Sequence, residues 1–260
     1  MNLIDTHAHL TYPELEGRID DVLARSRSTG VAGWITIGTD PEHIRRALAL
    51  AGRFEAMWVG VGCHPHHANE ITDADIVFLE QTAQNPKVVA IGETGLDYHY
   101  DNVVVENQKR LFRAHLDIAA KYNKPVIIHT RQAFDDSMAI LAEYDGKLKG
   151  VVIHCYGGDA GQTKLVLDRG YYISFTGTVT FKKSDTLRDI AKTIPLDRLM
   201  IETDCPFISP EPVRRISPNE PALLIHTAKL LASLHNLDLD VFAEKITETS
   251  KTFFNLSFRA

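Results

Sequence analysis

The sequence predicts a single (β/α)8 TIM barrel that spans residues 1–260, and three observations support this fold class. The chain has 260 residues, of which 44% are hydrophobic, and this is enough for one large α/β domain. Short apolar segments alternate with longer amphipathic ones, as buried parallel strands alternate with helices. Eight such units in about 250 residues match the usual size of this barrel.

The predicted strands are short runs rich in Val, Ile or aromatic residues and largely apolar on both faces. In chain order they are residues 3–10, 33–38, 57–64, 88–97, 125–131, 150–158, 171–177 and 199–206. Helical periodicity lies between and after them, at 20–30, 41–54, 105–124, 161–170, about 219–235 and about 239–254. Gly30 is a typical residue after a helix end, and Pro41 after Asp40 is typical of a helix start.

The alternative architecture is a doubly wound open sheet. Such a sheet usually carries a glycine-rich phosphate loop after its first strand. Here the first predicted strand ends in His7 and His9 instead, which favours the barrel.

Composition excludes several classes of protein. The formal net charge is −6, so a polyanion must be held by a local cationic patch rather than by a general basic field. No apolar run approaches about 20 residues, so the sequence predicts no transmembrane helix, and the start of the chain lacks the pattern of a secretory signal. Cys63, Cys155 and Cys205 are widely spaced and odd in number, so we expect free thiols and a cytoplasmic location.

Residues with metal-binding or acid–base chemistry collect at the carboxyl ends of the predicted strands. In a barrel these ends meet at one mouth, where active sites are built. His7 and His9 are two positions apart on a strand and therefore share a face. The set comprises His7, His9, His64, His66, His67, Glu93, Asp97, His129, Arg131, His154, Glu202 and Asp204.

Imidazoles and carboxylates in one pocket suit a divalent metal. Four histidines and two carboxylates exceed the roughly three protein ligands of one catalytic zinc, so we expect two ions that share a carboxylate and a water or hydroxide. Glu93 is central in chain order and is the natural shared ligand. Asp204 is the candidate base for that water, and imidazole ligands favour zinc or manganese.

A phosphate substrate predicts cations near the same strand ends. The candidates follow the fifth, seventh and eighth strands, and they are Arg131, Lys182, Lys183, Arg214 and Arg215. Nearby aromatic residues either stack bases or pack loops, and we expect packing for most of them. They are Tyr98, Tyr100, Tyr156, Phe181 and Phe207.

Several segments between residues 4 and 224 carry a resemblance to a known family. They include IDTHAHL, VGCHPHHA, AIGETGLDYHYD, KPVIIHTRQAFDD, VIHCYGG and RLMIETDCPF. The chain resembles the TatD family of metal-dependent hydrolases, within the amidohydrolase-type barrels. The resemblance implies a deoxyribonuclease, with 3′–5′ exonuclease action on single strands, that usually works with magnesium.

The same resemblance implies roles for individual residues. One ion is held by His7, His9 and Asp204, the other by His129 and His154, and Glu93 bridges them. His64 lines the site and assists catalysis without holding a metal. One departure concerns the segment after the eighth strand, where Pro218 stands in place of the family's usual arginine before Asn219-Glu220-Pro221, and Arg214 and Arg215 are candidates to replace it.

Three functions are compatible with these residues. They are a two-metal phosphodiesterase that acts on DNA ends, a two-metal hydrolase of a neutral ester, lactone or amide, and a non-enzymatic metal-binding scaffold. The predicted cations favour the first over the second. Ligands at open strand ends disfavour the third, because a structural metal site is closed. We expect a monomer.

Overall fold

The computed structural model describes residues 1–100 and 102–257. Within these ranges eight parallel strands form one sheet in the order β1-β2-β3-β4-β5-β6-β7-β8. The strands are β1 (Leu3–Ala8), β2 (Val31–Gly38), β3 (Met57–Val61), β4 (Val88–Asp97), β5 (Val126–Arg131), β6 (Val151–Ile153), β7 (Tyr172–Phe175) and β8 (Leu199–Ile201).

Helices alternate with these strands along the chain. They are α1 (Pro13–Glu16), α2 (Ile19–Ser28), α3 (Pro41–Ala51), α4 (Asp73–Thr82), α5 (Val105–Lys121), α6 (Phe134–Ala142), α7 (Ala160–Asp168), α8 (Asp185–Ala191), α9 (Leu224–Leu234) and α10 (Leu239–Phe254). The sheet order and this alternation confirm the predicted (β/α)8 fold class.

Several predicted strands are too long at their carboxyl ends. The first ends at Ala8, the third at Val61, the sixth at Ile153 and the eighth at Ile201. Cys155 (φ 45°) and Asp204 (φ 55°) have left-handed backbone conformations, which no strand can continue. The predicted ligands that follow β6 and β8 therefore lie on the loops directly after the strands.

Local signals explain most helix boundaries. Gly30 has φ 88° two residues after α2, as expected for a glycine that ends a helix. Asp40 caps α3, since its carboxylate accepts the amides of Glu42 and His43. The predicted helix near 219–235 begins only at Leu224, because Pro221–Leu223 form a 3₁₀ turn. Periodicity missed α1, α4, α6 and α8.

The chain divides into two compact units. The first comprises Met1–Thr36, Glu55–Met57 and the segment from Cys155 onward. Its core includes Leu3, Trp34, Phe175 and Phe242, all buried. At the barrel seam Thr6 Oγ1 donates to the Ile201 carbonyl (3.0 Å), so β8 lies beside β1.

The second unit comprises Ile37–Phe54 and Trp58–His154. It contains β4, β5 and α5, with a core that includes Ile91, Phe112 and Val126. The prediction of one domain over residues 1–260 stays a prediction beside this division. In the described ranges, no helix has the length and apolar character needed to span a membrane.

Candidate metal centre

The first unit brings His7, His9 and Asp204 together. Their ligand atoms all lie within 4.8 Å of one another. His9 Nε2 is 3.1 Å and His7 Nε2 is 3.8 Å from Asp204 Oδ1. His7 is fully buried and Asp204 is 9% exposed. Two imidazoles and one carboxylate in a buried pocket form a donor set that suits zinc or manganese.

Asp5 and Thr203 hold the two chain segments that carry these ligands. The Asp5 carboxylate accepts the Thr203 amide (2.9 Å) and hydroxyl (2.5 Å), and it faces the His7 amide at 3.4 Å. The Asp204 amide donates to the His7 carbonyl (2.9 Å). Burial raises the pKa of Asp5 to about 7, although the hydrogen bonds from Thr203 lower it.

The second unit brings Glu93, His129 and His154 together. Glu93 Oε1 lies 2.8 Å from His129 Nδ1 and 2.9 Å from His154 Nε2, and the two ring nitrogens are 3.4 Å apart. Gly95 supports this packing, because its φ of 137° and the closeness of the His129 main chain leave no room for a side chain. Glu93 and His154 are buried.

Asp97 lies on the far side of His129 from Glu93. Its Oδ2 is 3.0 Å from His129 Nε2 and 2.8 Å from His66 Nε2, and its Oδ1 accepts the His99 amide (2.9 Å). Burial alone raises the pKa of Asp97, but these hydrogen bonds outweigh it, and the pKa is lowered. Asp97 is therefore ionised and can accept a hydrogen bond from His129 Nε2.

This arrangement leaves His129 Nδ1 directed at Glu93. Burial alone lowers the pKa of His129, but its hydrogen bonds to Asp97 and Glu93 outweigh it and raise the pKa. Gln108 on α5 fixes the Asp97 main chain, since its amide accepts from the Asp97 N–H and donates to the Asp97 carbonyl, both at 2.8 Å. A histidine that ligates a metal commonly donates its other N–H to such a carboxylate.

His64 lies beside this group with Nε2 3.5 Å from Glu93 Oε1, so its distances alone would permit a ligand role. Its Nδ1, however, accepts the His66 amide (3.1 Å). Burial lowers the pKa of His64 to about 4, although Glu93 raises it. A neutral ring whose Nδ1 accepts carries its proton on Nε2 and donates toward Glu93.

The predicted cations are all exposed, namely Arg131, Lys182, Lys183, Arg214 and Arg215. Arg131 lies over the Tyr100 ring (5.4 Å) and Arg214 over the Phe181 ring (3.4 Å). In the segment after β8, the Glu220 carboxylate accepts two 2.7 Å hydrogen bonds from Arg25 on α2.

Sequence reasoning assigned no role to several residues that support these clusters. Glu202 is one of the predicted strand-end residues, and its carboxylate accepts a hydrogen bond from the Cys155 amide (2.6 Å). Asn219 is buried and donates to the Thr203 (3.0 Å) and Phe207 (2.6 Å) carbonyls. The signal for Asp5 was its position two residues before His7, on the same strand face. Gln108 has no such signal, because it lies within a helix.

Comparisons with known proteins identify the family of this chain. Residues 4–255 match the family model described as "TatD related DNase". YabD of Bacillus subtilis (strain 168), described as an uncharacterized metal-dependent hydrolase, is 35% identical over 255 residues, which cover 98% of this chain and 100% of that protein. The 3′–5′ ssDNA/RNA exonuclease TatD of Erwinia tasmaniensis is 34% identical over 259 residues, with coverage of 98% and 100%.

A solved structure supports the same assignment. The crystal structure of YjjV, a TatD homolog from Escherichia coli K12, superposes with a TM-score of 0.93 at 31% identity and covers 98% of each chain. A family match over nearly the whole sequence, relatives above 30% identity and a shared barrel all agree. The chain therefore belongs to the TatD family of metal-dependent hydrolases.

Proposed function

We propose that this hydrolase is a two-metal phosphodiesterase that removes nucleotides from the 3′ ends of single-stranded DNA. The observation that carries the proposal is the presence of two donor sets of imidazole and carboxylate groups, one in each unit. One is His7, His9 and Asp204, and the other is Glu93, His129 and His154. Each set offers the mixture of imidazole and carboxylate that divalent metals take in hydrolases.

In this proposal each donor set would hold one divalent ion, and Glu93 would be the shared carboxylate. The choice of Glu93 rests on the fold class, because the carboxyl ends of the strands in a (β/α)8 barrel open onto one face. Two such ions would supply an activated water and neutralise charge on the phosphoryl group. Zinc, manganese and magnesium are the candidates.

The protein's own groups have distinct tasks. Asp204 is a buried carboxylate at hydrogen-bond reach of His9 (3.1 Å), and we assign it to orient the attacking water and accept its proton. Neutral His64 presents an N–H at Nε2, which suits donation to a developing negative charge. Asp97 keeps His129 in the tautomer whose Nδ1 is available as a ligand.

Charge supports a nucleic acid substrate over a neutral ester. The chain has a net charge of −6, yet exposed cations follow the fifth, seventh and eighth strands. These cations are Arg131, Lys182, Lys183, Arg214 and Arg215, and we assign them to backbone phosphates. Relatives described as 3′–5′ ssDNA/RNA exonucleases are 33–34% identical over 98% of this chain, which supports the same substrate class.

Location and assembly belong to the same proposal. Cys63, Cys155 and Cys205 are free thiols, which supports a reducing, cytoplasmic compartment. We expect the monomer to be the active form, and light scattering of the purified protein measures its mass in solution.

The test uses the purified protein and its native metals. Elemental analysis is followed by exhaustive chelation and by addition of zinc, manganese or magnesium. Each form is offered a 3′-labelled single strand, a 5′-labelled single strand, a duplex and an aryl ester. We expect chelation to abolish cleavage and a metal to restore it, with early loss of the 3′ label. Cleavage of the ester but of no oligonucleotide under any metal or salt condition would establish the neutral-ester hydrolase instead.

A further inference from the structure

Two aromatic side chains, Tyr12 and Phe207, lie against His9. The ring centroids of His9 and Tyr12 are 5.1 Å apart, and those of His9 and Phe207 are 5.9 Å apart. The Tyr12 and Phe207 rings are themselves 5.7 Å apart in an edge-to-face arrangement. The three rings form one continuous contact group, in which His9 is a proposed metal ligand and the other two have no assigned task.

Phe207 is held by its main chain rather than by burial of its ring. Its N–H donates to the Asp204 carbonyl (3.0 Å), and its carbonyl accepts from Asn219 Nδ2 (2.6 Å). Asn219 is itself buried. Phe207 nevertheless stays 46% exposed. A large aromatic residue is thus held by its main chain and open to solvent, three residues after a proposed metal ligand.

The exposure of Phe207 differs from the loop packing expected for most aromatics near the strand ends. Tyr156 does pack, since it is 2% exposed. Among the large apolar side chains that are exposed in the described part of the protein, the aromatic ones are Tyr100 and Phe207. Isolated exposed apolar residues are common and carry no meaning by themselves. Contact with the His9 ring gives Phe207 its significance.

We propose that Tyr12 and Phe207 form a stacking surface for the nucleobase next to the scissile phosphodiester. The inference rests on the proposed function and names the substrate group that this part of the site recognises. A phosphate that reaches an ion held by His9 places its attached nucleoside beside these rings. Every base has a π-face, so an aromatic surface binds single strands with little regard to sequence.

The test compares two single-stranded oligonucleotides that differ only at the 3′-terminal nucleotide, which carries either adenine or no base. Values of kcat and KM are measured for the wild type and for the variants Phe207→Leu, Phe207→Ala and Phe207→Tyr. Leu keeps apolar bulk without a π-face, and Tyr keeps the π-face. Leu165→Ala on α7 is the matched control, because Leu165 is a comparably exposed apolar residue (52%).

We expect the wild type to favour the adenine substrate at least about fivefold in kcat/KM, mainly through KM. The Leu and Ala variants should bring this ratio close to one, whereas Tyr and the Leu165 control should keep it. An unchanged ratio in well-folded Phe207→Leu, with oligonucleotide cleavage intact, overturns the stacking surface and leaves the proposed function standing. A wild type that cleaves the aryl ester but no oligonucleotide overturns both.

Discussion

Asp97→Asn is the perturbation that most directly tests how the second donor set works. The substitution keeps the size of the side chain and removes its charge. The Asp97 carboxylate lies 3.0 Å from His129 Nε2 and 2.8 Å from His66 Nε2, and its side chain is fully buried. Because the charge helps to raise the pKa of His129, its loss should lower that pKa and weaken the orientation of the ring.

The size of the effect follows from the bond that is weakened. A hydrogen bond to a charged group contributes about 1.5–3 kcal/mol, and loss of a carboxylate behind a ligating histidine typically costs about 10–100-fold in metal affinity. Because the Asp97 side chain is fully buried and its charged hydrogen bond is little screened by water, we place the loss in the upper half of that range, at about 30–100-fold.

The assay is calorimetric titration of the metal-free protein with zinc and with manganese. Asp136→Asn is the matched control, because Asp136 is a partly exposed carboxylate that bonds Tyr98 (2.7 Å) and Lys109 (2.8 Å) and touches no proposed ligand. We expect Asp97→Asn to weaken binding of one ion while the control binds both as the wild type does. Wild-type affinity in Asp97→Asn would refute the role of Asp97 behind His129.

Three further predictions concern catalysis, substrate binding and stability. Glu93→Gln and Asp204→Asn should each lower kcat by at least about 10²-fold, and circular dichroism should show an unchanged fold; full turnover in either would mean that the site lies elsewhere. Replacing Lys182 and Arg214 with Ala should raise the KM for oligonucleotides more than the KM for an aryl ester. The slope of log affinity against log salt concentration should become shallower by up to about 0.7 for each lost phosphate contact. An unchanged slope would mean that neither residue contacts a phosphate of the substrate. Burial lowers the pKa of His115 from 6.5 to about 4, so the stability that neutral His115 contributes is complete above about pH 6.5 and is lost as the pH falls toward 4. Between pH 7.5 and pH 5, the free energy of unfolding measured in urea should fall by about 2 kcal/mol more in the wild type than in His115→Gln. An equal fall in both proteins would contradict the pKa shift.

Much of the fold could be predicted from the sequence, because buried parallel strands leave a strong apolar signal. All eight strands formed where the apolar runs occur. The errors lie at carboxyl ends such as 150–158 and 199–206. There the apolar run continues into the loop, while the left-handed backbone at Cys155 and Asp204 ends the strand. Backbone conformation of this kind has no composition signal in non-glycine residues.

The ligand candidates share a simple signal, since each lies in the carboxyl-terminal half of a strand or shortly after the strand, where a (β/α)8 barrel carries its chemistry. His7 and His9 lie close to Asp204 in the structure, although about 195 residues separate them from it in the sequence. Among the residues that support them, Asp5 carries only the signal of its position two residues before His7, and Gln108 carries none. Asp5 accepts a hydrogen bond from the Thr203 amide, 198 positions away, and Gln108 accepts one from the Asp97 amide. A sequence search for residue types that bind metals does not find a residue that acts through a hydrogen bond to another residue's main chain.

The segment after β8 also contains residues that hold the site in place and that the sequence did not predict. Pro218 stands where the family often has an arginine, and the role of Arg214 and Arg215 in its place stays a prediction. The Glu220 carboxylate pairs with Arg25 through two 2.7 Å bonds that link positions 195 residues apart. Such a two-point pair fixes both side chains in orientation as well as in distance. Since Glu220 directly follows Asn219, which holds the Thr203 and Phe207 carbonyls, Arg25 anchors the segment on which both Asp204 and the proposed stacking ring depend.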